Sequence, residues 1–494
     1  MAPEEPFTYL PPYMGRTKGN SIMSAQANAQ FACLARPNPV ESDFAINQVE
    51  GEIPRELNGT LYRNGPNQKT APAAGDAALH LFDGDALISA IRFEDGKATY
   101  RGRYAQTESF LREQSEGAYC LGGGNVPADS ALENPPQNVQ PNTNVVAHSG
   151  RLFALVETAP PFEMDPITLE SKGPWNYDGK MLGLSTTAHP KIDRKTGQMW
   201  IHGYQPIEPF IQLYSVEPDG SVSLAEAIDA PWPSMMHDFA ITENYVIFPL
   251  GSVYIDLAPI MAGGRFKDAI QGRPDLNMKF GIRRREPGSA TQWFDGSSSA
   301  YMFHPGNAYE EDGKIFMDAC TYEDPAGMLD TLTTLRSAGD ASGFAANPYL
   351  YEFDLASGTC KETKLSDSPA EFPRIDDRLI GYKNRWGYAA TAEPGGADAG
   401  AIWRRITKYD REGGPSVHRP IVDGQWVGEP VFVPRASDAA EDDGFILNVL
   451  YDGPNDRSAI EILDARAIDA EPLARLWLET RLPLGFHGNW HQAE

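Results

Sequence analysis

The sequence predicts an all-β fold, a seven-bladed β-propeller, from a repeated element, its spacing and the distribution of glycine and proline. The element is a turn pair that tolerates positive φ, followed by an apolar run of strand-forming residues. The turns are 91, 47, 47, 69, 71 and 60 residues apart, which leaves room for about four short strands per copy. Repetition at such periods is typical of radial architectures. The seven turns end at Gly59, Gly150, Gly197, Asn244, Gly313, Asn384 and Gly444.

The chain reads as one large domain. Its 46 glycines and 40 prolines are spread throughout and punctuate many short elements. No Gly/Ser tract, charge block or composition shift follows residue 40, so residues 41–494 are predicted to form a single propeller domain after an N-terminal extension, residues 1–40. Short helices inserted in loops are predicted over 107–117 and 330–340.

The composition indicates which classes of binding partner and which cellular compartment to expect. The 42 basic and 68 acidic residues give a net charge of −26, which disfavours nucleic acid or an anionic membrane as an electrostatic partner. Four scattered cysteines without CxxC spacing indicate neither a thiolate metal site nor a disulfide framework. With no basic and apolar leader at the N-terminus, we predict a cytoplasmic protein.

Three histidines stand at nearly the same offset from the repeat. His189, His237 and His304 precede the turn residues of their copies by 8, 7 and 9 positions. Equivalent offsets in different blades predict equivalent radial positions, so these side chains are candidates to converge on one metal at the propeller axis. The alternative for each histidine alone is a structural hydrogen bond to backbone. Signatures of other catalytic classes, such as GxSxG, HExxH and the Walker A loop, are absent.

The chain resembles a known family in a series of ordered motifs. The segments GEIPRELNGTLYRNGPN, HLFDGDALI, AHPKID, MHDFAIT, FHPGNAYEEDGKI, EFPRID, GEPVFVPR and LPLGFHGNW are similar to those of the carotenoid cleavage oxygenases. The resemblance covers roughly residues 40 to 494. It implies a propeller beneath a dome of loops and helices, with a non-haem Fe(II) on the axis held by four histidines. The matching positions are His189, His237, His304 and, from the resemblance alone, His487.

The same resemblance implies roles for residues around the iron. Glu157, Glu371 and Glu429 match glutamates that accept hydrogen bonds from ligand imidazoles and so fix their orientation. Thr143 matches a small residue near the sixth coordination position, where it restricts access. The structural alternatives are solvated loop carboxylates and a buried threonine with a satisfied hydroxyl.

The implied reaction is cleavage of a conjugated C=C bond by O₂ to give two carbonyl products. Four neutral imidazoles suit a borderline divalent metal and leave positions open for oxygen. No motif for a second cofactor is present. A non-catalytic propeller that binds a partner through its loops is the alternative of another class.

The expected substrate is an apolar small molecule. One bacterial branch of the family cleaves stilbenes or phenylpropenoids, and there a lysine stands before the first outer glutamate to bind the phenol. This chain has Val156 at that position, which favours a carotenoid or apocarotenoid and leaves the stilbene-cleaving activity as the alternative. The apolar segment 252–266 predicts either a substrate entrance with possible peripheral membrane contact or a buried dome element.

Overall fold

The structure is a computed structural model, and it describes residues 36–70, 82–119, 139–183, 185–262, 266–338, 344–392, 403–420 and 422–493. In the first half of the chain the strands are β1 Ser42–Ala45, β2 Gln48–Gly51, β3 Gly59–Arg63, β4 Leu87–Glu94, β5 Lys97–Tyr104, β6 Asn144–His148, β7 Arg151–Leu155, β8 Phe162–Met164, β9 Ser171–Pro174, β10 Lys191–Ile192, β11 Met199–Tyr204, β12 Ile211–Val216, β13 Val222–Ile228, β14 Ala240–Ile241 and β15 Tyr245–Leu250.

In the second half the strands are β16 Val253–Ile255, β17 Ile270–Gly272, β18 Lys279–Arg284, β19 Thr291–Asp295, β20 Tyr301–Glu311, β21 Lys314–Tyr322, β22 Asn347–Asp354, β23 Thr359–Lys364, β24 Ala370–Arg374, β25 Trp386–Thr391, β26 Arg405–Asp410, β27 Val417–His418, β28 Gln425–Val427, β29 Val431–Pro434, β30 Gly444–Asp452, β31 Arg457–Asp464, β32 Ala474–Trp477 and β33 Gly488–Gln492. The α-helices are α1 Glu108–Glu116, α2 Ala258–Met261, α3 Phe266–Ala269 and α4 Pro325–Ala338, and 3₁₀ turns occur at Tyr177–Gly179, Asp377–Leu379 and Gly453–Asn455.

The strands form the seven antiparallel blades of a propeller. Blades 1 to 5 have four strands each, namely β6–β9, β10–β13, β14-β15-β18-β19, β20–β23 and β24–β27. Blade 6 is β2-β32-β31-β30 with β28 and β29 both paired to β30, and blade 7 is β1-β5-β4-β3-β33. The predicted fold class is confirmed, because each of the seven repeated strands lies second from the inner edge of a different blade.

The ring is closed twice by strands from opposite parts of the chain. At the outer edge of blade 6, β2 pairs with β32, and at the inner edge of blade 7, β33 pairs with β3. Apolar side chains from blades 6 and 7, among them Leu61, Phe93 and Leu476, share one buried cluster. The same packing of neighbouring sheets recurs around the ring, so burial between blades holds the scaffold together.

Helices and one extra two-stranded sheet lie over the end of the ring that bears the histidines. The sheet is β16–β17, and the longest helix is α4. Val253 of β16 and Met328 of α4 belong to a buried cluster with Phe303, whose ring centroid is 4.9 Å from that of His237. The predicted dome of loops and helices is therefore confirmed.

Both predicted loop helices are present. Helix α1 begins after Thr107, whose Oγ1 accepts a hydrogen bond from the Phe110 N–H, and it ends at Gly117, which takes the left-handed conformation that favours glycine. Helix α4 begins earlier than the second predicted segment, at Pro325, and includes 330–338 of it, whereas 339–340 lie outside the described residues.

The segment 252–266 was predicted to be either an exposed substrate entrance or a buried dome element, and it contains a part of each kind. Val253 and Ile255 of strand β16 are buried within the dome, whereas Met261 at the end of α2 is 85% exposed. Peripheral membrane contact through this exposed end stays a prediction. No helix in the described parts of the chain is long and apolar enough to cross a membrane.

The division into an extension and one domain also stays a prediction. Residues 1–35 lie outside the described residues. Residues 36–40 run along the propeller, where the Asn38 side-chain amide donates to Thr480 Oγ1 at 2.8 Å and to the Arg481 carbonyl at 2.6 Å.

Candidate metal centre

Four buried histidines come together at the inner edges of four blades. His189 precedes β10, His237 precedes β14 and His304 lies within β20, so the equal offsets in sequence become equal positions in blades 2, 3 and 4. His487 precedes β33, the inner strand of blade 7. One ligand atom from each of the four lies within 4.8 Å of every other, and the convergence predicted for them is confirmed.

The Nε2 atoms face one another across the axis. The His237 Nε2 is 2.9 Å from the His189 Nε2 and 3.2 Å from the His304 Nε2. Such separations suit neighbouring ligands that each lie about 2.1 Å from one ion, at nearly a right angle. The His189 ring is 4.4 Å from that of His487 between centroids, which places the fourth imidazole at the same point.

Three of the histidines bind a glutamate through their other nitrogen. The His237 Nδ1–H donates to Glu157 Oε1, and the His304 Nδ1–H donates to Glu371 Oε2 at 2.5 Å. Likewise, the His487 Nδ1–H donates to Glu429 Oε1 at 3.0 Å.

These bonds fix the tautomer. Because a carboxylate only accepts, each imidazole carries its proton on Nδ1 and turns a lone pair on Nε2 toward the axis. Two nitrogen lone pairs so near each other cannot form a hydrogen bond between them. The group of imidazole nitrogens therefore fits a bound cation. Imidazole nitrogens are also the donors that zinc, copper, iron and nickel accept.

His189 differs from the other three. Its Nδ1 is 4.0 Å from Asp238 Oδ2, which is too long for a hydrogen bond. Asp238 is itself paired with Lys191, whose Nζ is 2.8 Å from Oδ1. These two residues line the cavity that adjoins the histidines on the propeller axis.

Electrostatics keep two of the imidazoles neutral and available for a metal. Burial, reinforced by the neighbouring imidazoles, lowers the pKa of His189 well below its usual value. Burial also lowers the pKa of His487 to about 3, although Glu429 opposes the change. For His304, burial acts in the same direction, but the charge and hydrogen bond of Glu371 outweigh it and raise the pKa. A carboxylate partner of this kind makes an imidazole a more basic ligand.

Thr143 and Val156 lie opposite each other at one end of blade 1. The Thr143 N–H donates to the Leu155 carbonyl at 3.0 Å, just beyond the pairing of β6 with β7, and both side chains are partly exposed. Val156 directly precedes Glu157, the carboxylate that accepts from the His237 imidazole. The roles expected of Thr143 and Val156 stay predictions.

The structure adds residues behind the glutamates that the sequence did not single out. The Tyr204 hydroxyl donates to Glu157 Oε2 at 2.5 Å, and the Tyr322 hydroxyl donates to Glu371 Oε1 at 3.0 Å. Glu429 instead accepts from a guanidinium, because Arg374 Nη1 lies 3.2 Å from its Oε1. Arg374 stands in the EFPRID motif, which was the available signal, whereas nothing in the sequence pattern marks either tyrosine.

Comparison with known proteins establishes the family. The model of the family described as retinal pigment epithelial membrane protein (RPE65) matches residues 35–492. The chain belongs to the carotenoid cleavage oxygenase family. The lignostilbene-alpha,beta-dioxygenase isozyme III of Sphingomonas paucimobilis is 32% identical over 93% of this chain and 96% of its own. The apocarotenoid-15,15'-oxygenase of Synechocystis is 31% identical over 92% and 94%, respectively.

A solved structure of the family agrees with the fold. Cobalt-substituted Synechocystis apocarotenoid oxygenase has a TM-score of 0.84 with 29% identity, covering 94% of this chain and 99% of its own. Because relatives across the whole length are named dioxygenases and oxygenases, this carotenoid cleavage oxygenase is an oxidoreductase of the dioxygenase class. The prediction of an enzyme is confirmed, and relatives named for stilbenes and for carotenoids match it almost equally.

Proposed function

We propose that this carotenoid cleavage oxygenase uses Fe(II) to cleave a conjugated C=C bond of a carotenoid or apocarotenoid with O₂, giving two carbonyl products. The observation that carries the proposal is the convergence of four imidazole Nε2 atoms without a carboxylate among them. His189, His237, His304 and His487 would hold the ion. Bound there, it would supply a redox-active site for oxygen.

The chain's own groups would orient the ligands and position the substrate. Glu157, Glu371 and Glu429 hold the Nδ1–H of three imidazoles, which keeps each Nε2 lone pair aimed at the axis. The Phe303 ring packs 4.9 Å from that of His237 between centroids, and the Phe344 ring stands 5.7 Å from that of Phe303. A polyene bound beside these rings would be held by apolar contact, so we expect proximity rather than acid–base chemistry to account for the protein's contribution.

The first test measures metal and products together. Protein purified without chelators is expected to contain about one iron per chain, because the described residues contain one such group of histidines. With an apocarotenal as substrate, we expect one O₂ consumed per bond cleaved and two carbonyl products by HPLC, with no reductant or nicotinamide. A requirement for an added reductant, or iron far below one per chain in active protein, would contradict the proposal.

Val156 supports the choice of an apolar polyene over a stilbene. It adjoins Glu157 and offers no charge to a phenol. A hydrogen bond to a charged group contributes about 1.5–3 kcal/mol, so its absence disfavours a phenolic substrate by about 10-fold or more. The stilbene-cleaving activity remains the second candidate, because the Sphingomonas paucimobilis relative carries the name of a lignostilbene dioxygenase.

Substituting Val156→Lys is expected to shift the ratio of kcat/KM toward a hydroxystilbene and away from an apocarotenal by about 10-fold or more. The new ammonium gains a phenol partner with one substrate and is left unpaired with the other. Val156→Met is the matched control, because it lengthens the side chain without adding charge. Efficient hydroxystilbene cleavage by the unmodified enzyme, with no apocarotenal turnover, would overturn the substrate class while leaving the iron chemistry intact.

A further inference from the structure

One short segment of blade 5 helps to position two of the candidate ligands. The pairing of β24 with β25 is irregular between Glu371 and Arg374, and Phe372 takes a φ of +54° within this stretch. A non-glycine residue in the left-handed region costs of order 1–2 kcal/mol, so the surrounding structure must hold it there. The irregularity brings Glu371 to His304 and Arg374 to Glu429, which is the partner of His487.

Arg374 contacts the strand that directly follows His487, which is β33. Its Nη1 donates to Glu429 Oε1 at 3.2 Å and to the Gly488 carbonyl at 3.0 Å. Its Nη2 donates to Asn489 Oδ1 at 3.1 Å. The guanidinium therefore touches both the carboxylate that orients His487 and the first two residues of β33.

Glu429 completes a connection across three blades. Its Oε2 accepts from the Gly488 N–H at 2.8 Å and lies 3.7 Å from Arg63 Nη1 on β3, the strand with which β33 pairs. Burial acts to raise the pKa of Glu429, but Arg374, His487 and Arg63 outweigh it and hold the pKa below its usual range. Position 488 requires glycine, because a Cβ there would overlap the Arg63 side chain.

Among the described residues, the other two glutamates have no such connection to a closing strand. Glu157 and Glu371 are backed by neutral hydroxyls, those of Tyr204 and Tyr322, on the second strands of blades 2 and 4. His487 is thus distinguished by an arginine-backed carboxylate and by its place beside the strand that completes the ring.

We propose that Arg374 is a positioning residue that couples closure of the propeller ring to metal binding by fixing Glu429, β33 and thereby His487 as one unit. The proposal rests on the metal site of the proposed function. When an ion is bound, β33 is held both by the ion, through His487, and by Arg374. Loss of the guanidinium releases the strand even when the site is filled.

The experiment compares Arg374→Leu and Arg374→Lys with Arg378→Leu in the full chain. Arg378 is the matched control, because its guanidinium pairs with Asp376 and with the carbonyls of Ala436, Ser437, Ala439 and Ala440 rather than with Glu429 or β33. Anaerobic Co(II) titration followed by visible absorption gives the affinity of the site. Hydrogen exchange of residues 488–492 at saturating Co(II) gives the protection of β33.

Arg374→Leu is expected to bind Co(II) about 10–100-fold more weakly than the unmodified chain, as changes behind a ligand commonly do, and to exchange faster over 488–492. Arg374→Lys should retain part of the affinity, because one ammonium replaces the charge, but it should lose the protection of β33 because it cannot reach three acceptors at once. Arg378→Leu should match the unmodified chain in both measurements.

Unchanged exchange over 488–492 in both Arg374 variants would overturn the coupling, even with weaker Co(II) binding. If Arg374→Leu fails to fold, Arg374→Lys decides, and values equal to the unmodified chain would refute the positioning role. Failure of the unmodified chain to bind Co(II) would instead refute the metal site itself, so the two failures are distinguishable.

Discussion

The His237→Ala variant will fold as a propeller yet retain no iron and show no turnover. The His237 Nε2 lies beside those of both His189 and His304. Its removal leaves a gap in the donor set and takes from Glu157 its imidazole partner. The blades are held by apolar clusters between sheets, so the scaffold does not depend on the ion.

Metal content by mass spectrometry, circular dichroism and product formation by HPLC check this result. His418→Ala is the matched control, because His418 lies on the last strand of blade 5 and contacts Thr407 rather than the other histidines. That control should keep its iron. If the His237→Ala variant has the same iron content as the unmodified protein, the four-histidine site is refuted.

Glu371→Gln is expected to weaken metal affinity or turnover by about 10–100-fold without removing a ligand. The Glu371 carboxylate accepts three hydrogen bonds, from the His304 Nδ1–H, the Tyr322 hydroxyl and the Phe372 N–H. A glutamine offers one oxygen and turns an NH₂ group toward donors, so at least one of these bonds is lost and His304 becomes less basic.

Glu157→Gln should fall in the same range, because its carboxylate accepts from the imidazole of His237 and the hydroxyl of Tyr204. Tyr322→Phe separates the two contributions, since it removes one donor to Glu371 but leaves the carboxylate on His304. Its loss of affinity should be smaller than that of Glu371→Gln. Iron content and kcat/KM of both glutamine variants equal to those of the unmodified enzyme would show that the glutamates do not tune the ligands.

The sequence predicted the ring and three of the histidines because both depend on local repetition. A turn and a strand recur in each blade, and a ligand placed before β10 or β14, or early in β20, keeps nearly the same offset from the next turn. The offset argument does not apply to His487, because the strand that pairs with β33 is β3, at the other end of the chain. His487 was predicted from the family resemblance alone.

The groups behind the glutamates could not be predicted for a different reason. The strict alternation of a regular strand does not allow for the irregular pairing between Glu371 and Arg374, which sets where these side chains point. Tyr204 and Tyr322 each end the second strand of a blade, and only the packing of neighbouring blades places their hydroxyls on the glutamates. Such contacts depend on tertiary geometry that periodicity does not encode.

Closure of the ring by β33 gives a bound ion a second role, that of a reversible cross-link. It would tie blades 2, 3 and 4 to blade 7, through histidines 183 to 298 residues away from His487 in sequence. Unlike a disulfide, such a tie is lost when the chain unfolds, so it stabilises the protein only through its binding to the folded state. Since an ion that binds only the folded state stabilises it in proportion to the logarithm of its concentration, the melting temperature of this oxygenase should rise with free iron.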